Sequence, residues 1–163
     1  MNTKRNRHVI GISIGDIHGI GVEVTMKALL DSRVMKAFIP IIYAHGKVLT
    51  FYRKLLNLEE FNFMQIKTAE EAHPKKINLI NVIDDCPEIM PGVETGAAGK
   101  LALAALDHAI KDLKANRIHA LVTAPLNKNN INPADTDFIG HTEYLTSAFG
   151  SNRSMMFMVD EDI

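Results

Sequence analysis

Phe138-Ile-Gly-His-Thr-Glu-Tyr144, together with Leu121-Val-Thr-Ala-Pro-Leu-Asn-Lys128 just before it, carries the grammar that decides the fold. Val122 and Thr123 close a short apolar run, Pro125 stops it, and a polar loop leads to Gly140. His141 and Thr142 then stand where a helix begins, ahead of Glu143, Tyr144 and Leu145. A strand end, a loop and a helix start in that order mark where open α/β sheets hold ligands. Such a start also turns backbone N–H groups towards anions.

Outward from this stretch the same alternation repeats. Val9 to Ile14 is apolar and of strand length, runs into Gly15-Asp-Ile-His-Gly-Ile-Gly21, and is followed near Glu23 by a helical pattern with Val22, Met26 and Leu29 on one face. Phe38 to Tyr43 reads as a second strand, starting late because of Pro40. Gly46 to Leu58 reads as a helix with Val48, Phe51, Leu55 and Leu58 inward. Phe61 to Ile66 and Ile77 to Val82 read as strands, separated by Pro74, with the Pro87 to Pro91 region as punctuation. The clearest helix covers Gly96 to Ala115. Thr95 is its N-cap, Leu103, Leu106, Ile110 and Leu113 are its buried face, and Lys100, Asp107, Lys111 and Lys114 are more exposed. His119 to Thr123 follows as a strand, and Met155 to Val159 looks like another. Strands alternating with helices predict a largely parallel sheet covered on both faces.

The 163 residues suffice for one domain with a sizeable core rather than two complete ones. The 18 Lys and Arg nearly balance the 19 Asp and Glu, so no basic field points to nucleic acid. No apolar run is long enough to span a bilayer, and the basic N-terminus precedes too short an apolar segment for a secretion signal. Cys86 is the one cysteine and cannot form an internal disulfide, which fits a reducing compartment. Soluble and cytoplasmic is the expectation.

Each chemical motif has a plain structural counterpart. The Gly15 to Gly21 loop is spaced G-x-x-x-G-x-G, not G-x-G-x-x-G, so it reads as a structural turn at least as readily as a ligand loop. His141 and Thr142 can bind a phosphate or carboxylate, or can simply begin a helix with a surface histidine; from spacing alone the two stand equal. Lys128 is a phosphate contact or a solvated loop lysine. His8, His18, His45, His73, His108 and His119 show no metal-ligand spacing. Cys86 has no activating base nearby in sequence.

Taken together, Ser13-Ile-Gly-Asp-Ile-His-Gly-Ile-Gly-Val-Glu23, Leu121 to Lys128 and Gly140-His-Thr-Glu-Tyr144 resemble the blocks of the 4-hydroxythreonine-4-phosphate dehydrogenase family, in the family's order. Glu94-Thr-Gly-Ala-Ala-Gly-Lys100 resembles its lead into a long helix. The first block departs from the usual Asp-Pro-Ala-Gly-Ile-Gly-Pro-Glu in having Ile17-His18 and Val22. The resemblance implies a three-layer αβα, isocitrate/isopropylmalate dehydrogenase-like α/β fold, here truncated. It implies residues 1–132 as part of a first domain and 133–163 as the start of a second, truncated one. It further implies NAD-dependent oxidation and decarboxylation of 4-phosphooxy-threonine for pyridoxal phosphate synthesis, with a divalent metal as Lewis acid. His141 and Thr142 map to the substrate-contacting pair. The metal ligands are expected beyond this chain, and a homodimer is expected for the full-length protein. This half is expected to be inactive alone. A dehydrogenase for phosphorylated erythronate or threonate is the close alternative, and a non-catalytic phosphometabolite-binding domain the distant one.

Overall fold

In the computed structural model, residues 7–131 and 139–159 are described. The expected domain boundary after residue 132, and Phe138, lie outside them. The five strands are β1 (Val9–Ser13), β2 (Ile39–Ala44), β3 (Phe63–Ile66), β4 (Ile77–Asn81) and β5 (Ala120–Thr123). They form one sheet in the order β3-β4-β2-β1-β5, every pairing parallel. The helices are α1 (Gly21–Leu30), α2 (Ser32–Ala37), α3 (Gly46–Leu55), α4 (Gly96–Lys114) and α5 (His141–Ala148).

Parallel strands require crossovers, and right-handed crossovers decide which helix covers which face. β1 to β2 and β2 to β3 step one way along the sheet, so α1 and α3 share a face, where they touch. β4 to β5 steps the other way, and α4 covers the opposite face, packing on β1, β2 and β5. The result is the expected three-layer αβα arrangement. Pro40 to Ala44 are buried without a break, as a strand covered on both faces should be.

Pro40 does not delay β2 as its type predicts; it pairs with Ile10 inside the ladder. The Ile39 N–H donates to His8 O on the β1 side, so strand alternation turns Pro40 towards β4. Pairing with β4 begins only at Ile41 with Asn78, and the Asn78 side chain donates to Pro40 O. The missing N–H therefore faces no acceptor in the ladder.

Three further expectations are corrected. The α3 helix stops at Leu55 and the chain turns at Asn57 in a left-handed conformation (φ 53°). Its inward residues are Val48, Leu49 and Tyr52, while Leu55 is exposed, because the Tyr52 hydroxyl anchors the helix by donating to Ile17 O at 2.8 Å. On α4 the inward stripe is mainly small: Ala98, Gly99, Ala102, Ala105 and Ala109 are buried with Leu101, Leu106 and Ile110, and Leu103 and Leu113 are only half-buried. Small side chains let the helix axis approach the sheet. Met155 to Val159 form no strand and are exposed; among the described residues no sheet edge lies alongside them to pair with.

Candidate substrate-anion site

Three loops meet at the carboxyl ends of β1 and β5. Gly15 has φ +69°, and a Cβ there would stand 2.3 Å from Pro125 O, so a side chain is excluded both by conformation and by contact. The Asp16 N–H donates to the same carbonyl at 2.9 Å. The first glycine loop is thus packed against the segment leaving β5, and the structural-turn reading applies to it.

His18 is buried in this loop and holds the segment after β4. Its Nδ1 lies 2.7 Å from Val93 O and its Nε2 3.1 Å from Glu88 O, while its own carbonyl accepts from the Gly92 N–H. That brings Glu94 to the polar turn after β5. One Glu94 carboxylate oxygen accepts from the side-chain amides of Asn127 (2.9 Å) and Asn129 (3.2 Å). These two bonds hold the Glu94 carboxyl below the usual carboxylate range. The Asn127 Oδ1 also accepts from the Asn129 N–H, closing a 3-10 turn over Lys128–Asn130. Lys128 sits between the two clamped asparagines.

The α4 helix is the platform beneath. Thr95 caps it, accepting from the Ala98 N–H as its residue type predicts. At Gly99 the helix meets the 3-10 turn, a Cβ there standing 1.9 Å from Asn130 O. Further along, Asp107 accepts from the Tyr144 hydroxyl at 2.6 Å, which ties α5 to α4. Asp107 is therefore a docking group rather than a solvated one. Burial, then the Asp107 carboxylate, push the Tyr144 hydroxyl well above its ordinary value.

The α5 helix begins at His141, as the sequence indicates. His141 and Thr142 are half-buried side by side in its first turn. The His141 imidazole is held below its ordinary value, first by burial and then by the Lys128 ammonium, so its neutral form is favoured. The Lys128 Nζ lies 3.7 Å from where a Gly140 Cβ would stand, and Glu143 Oε2 lies 2.9 Å from that point. Sequence reasoning found His141, Thr142 and Lys128 separately. It gave no role to Glu94 or the two asparagines, although Glu94 and Asn127 fall within the quoted blocks.

Three of the remaining histidines serve local structure: Nδ1 of His45, His73 and His119 accepts from the backbone N–H of Lys47, Lys75 and Val9. Among the described residues no group of three or more His, Cys, Asp or Glu could hold a metal. Cys86 is half-buried and its thiol is pushed up by burial. No described helix is long and apolar enough to cross a membrane.

Residues 36–163 match the family model described as pyridoxal phosphate biosynthetic protein PdxA. A 4-hydroxythreonine-4-phosphate dehydrogenase of Bacteroides thetaiotaomicron is 37% identical over 160 residues, covering 98% of this chain and 44% of its own length. A Clostridium botulinum protein carrying the provisional name D-threonate 4-phosphate dehydrogenase is 32% identical over 144 residues, 86% of this chain and 42% of its own. The crystal structure of the 4-hydroxythreonine-4-phosphate dehydrogenase from Burkholderia phymatum superposes with a TM-score of 0.82 at 29% identity, over 91% of this chain and 46% of that one. The Klebsiella pneumoniae enzyme gives 0.74 at 27% identity, over 90% and 45%. The isocitrate/isopropylmalate dehydrogenase-like α/β class implied by the sequence is thus shared with solved dehydrogenases, and this chain spans less than half the length of the relatives it matches. On that match, the chain belongs to the pyridoxal phosphate biosynthetic protein PdxA family.

Proposed function

We propose that this chain supplies the phosphate-binding side of an enzyme that oxidises 4-phosphooxy-threonine in pyridoxal phosphate synthesis. The observation that carries the reading is the placement of His141 and Thr142 in the first turn of α5, beside the loop that leaves β5. A neutral imidazole can donate one N–H to a phosphate oxygen, and the Thr142 hydroxyl can donate another. The helix start favours the same charge. Holding the phosphate here orients the carbon chain, and orientation is a large part of what an enzyme contributes.

The reaction in this reading is oxidation of the secondary alcohol with loss of carbon dioxide, for which NAD would supply the hydride acceptor. Among the described residues no cluster of His, Cys, Asp or Glu could hold a metal, and this reading assigns the metal ligands to parts of the enzyme beyond this chain. The chain then acts as the N-terminal half of a cytoplasmic homodimeric enzyme, with residues 1–132 in a first domain and 133–163 opening a second, and it does not turn over alone. The provisionally named Clostridium botulinum relative favours one second reading, a phosphorylated threonate as substrate.

The test is NADH formation from NAD with 4-phosphooxy-threonine or D-threonate 4-phosphate, with and without zinc or magnesium. This chain alone should be inactive. A version extended past Ile163 should be active, and His141→Ala in it should raise KM by about tenfold or more. Metal-dependent turnover by this chain alone would overturn the half-enzyme reading. Unchanged KM in both His141→Ala and Thr142→Ala would overturn the site.

A further inference from the structure

We infer that Lys128 is a third contact for the substrate's anionic group, presented by a turn that Glu94 holds in place. This deepens the reading above and rests on it. Lys128 was indistinguishable in sequence from a solvated loop lysine. In the structure its ammonium is brought to the start of α5, 3.7 Å from the point where a Gly140 Cβ would stand. It is near enough to depress the His141 imidazole. A Lys128 ammonium and a neutral His141 imidazole thus reach one helix start from separate elements, where an anion would meet the charge of one and an N–H of the other. With an anion there, both gain.

The turn itself is set up for presentation. Glu94 accepts from the asparagines on each side of Lys128, and Asn127 closes the turn onto Asn129. Beneath it, Asn130 packs on Gly99 of α4. The backbone of Lys128 is thereby fixed from both sides while its side chain remains exposed and forms no ion pair among the described residues. Ordering the backbone in advance lowers the entropic cost of binding.

Glu143 is the opposing term. Its carboxylate is 2.9 Å from the same point at Gly140, yet it forms no ion pair with Lys128. An anion bound at the start of α5 meets attraction from Lys128 and repulsion from Glu143. The two substitutions should therefore act with opposite signs, which a purely structural lysine would not produce.

The experiment is a nuclear magnetic resonance titration of this chain with inorganic phosphate, following backbone amides and the His141 ring. Wild type, Lys128→Met, Lys128→Arg, Glu143→Gln, Glu94→Ala and His141→Ala are compared. Lys128→Met should weaken phosphate binding by about ten- to a hundredfold, with Lys128→Arg retaining most of it. Glu143→Gln should tighten binding. In phosphate-free buffer, Lys128→Met should move the His141 titration midpoint upwards, because a neighbouring positive charge has gone. Glu94→Ala should weaken phosphate less than Lys128→Met does. If Lys128→Met leaves phosphate affinity unchanged while His141→Ala abolishes it, the inference fails and the proposed site stands. If neither variant changes it, or the wild type does not bind phosphate, both fall.

Discussion

Asn130 shows at the scale of one side chain what the turn after β5 gives up. It is 3% exposed, and among the described residues neither its amide nitrogen nor its carbonyl oxygen has a hydrogen-bond partner. A buried polar group left unpaired costs about 1–3 kcal/mol. Leucine has a similar shape and no such need. Asn130→Leu should therefore stabilise the protein by about 1 kcal/mol, read as an increase in the denaturation midpoint at unchanged m-value. A decrease would show that the amide has a partner. The residue scale also explains why His141 and Lys128 were ambiguous in sequence. Both are ordinary loop or helix-start residues until the fold sets them beside one helix start, where the Lys128 ammonium helps to hold the His141 imidazole neutral.

At the scale of elements, α4 organises the site. Its cap at Thr95 closes its own first turn, while its close contact at Gly99 and its Asp107 bond to Tyr144 address the 3-10 turn and α5. The spacing of apolar residues disclosed the helix, but not which face mattered. The alanines that line it are compatible with any orientation, and the contact at Gly99 is made with the backbone of Asn130, far along the sequence. Gly99→Ala should be costly for that reason. The 3-10 turn cannot yield as a flexible side chain would, so overpacking of about 1–3 kcal/mol is expected. The same substitution should displace Lys128 and weaken phosphate binding. Thermal unfolding together with the phosphate titration checks this; a fully stable variant with wild-type affinity would contradict the close contact.

Across the whole molecule, the sheet and α4 are joined by a buried polar pair that continues to the exposed Arg117 ahead of β5. The Tyr43 hydroxyl of β2 donates to Asp112 at 2.6 Å, and Asp112 accepts from Arg117, which also pairs with Glu70. Burial foremost, and then Asp112, push the Tyr43 hydroxyl well above its ordinary value, which favours its donating form. Tyr43→Phe leaves the buried Asp112 with its arginine alone. The expected loss is about 1.5–3 kcal/mol, measured by urea unfolding. A loss much below 1 kcal/mol would mean that Arg117 satisfies the carboxylate unaided. None of these four residues is marked by a motif. They lie on elements that only the parallel sheet order β3-β4-β2-β1-β5 brings together.

Local chemistry in the chain itself determined the alternation of strands and helices, the Thr95 cap, the start of α5 at His141 and the family blocks, because periodicity, capping and turn signals act over a few residues. Tertiary structure decided the rest. It absorbed Pro40 into β2 by facing its missing N–H away from any pairing, rotated the buried face of α3 onto Tyr52, and left Met155 to Val159 without a strand partner. It also brought Glu94 to Asn127 and Asn129, and Lys128 to His141. Contacts between residues far apart in sequence depend on sheet order and helix approach, and neither quantity is written in any short stretch of the chain.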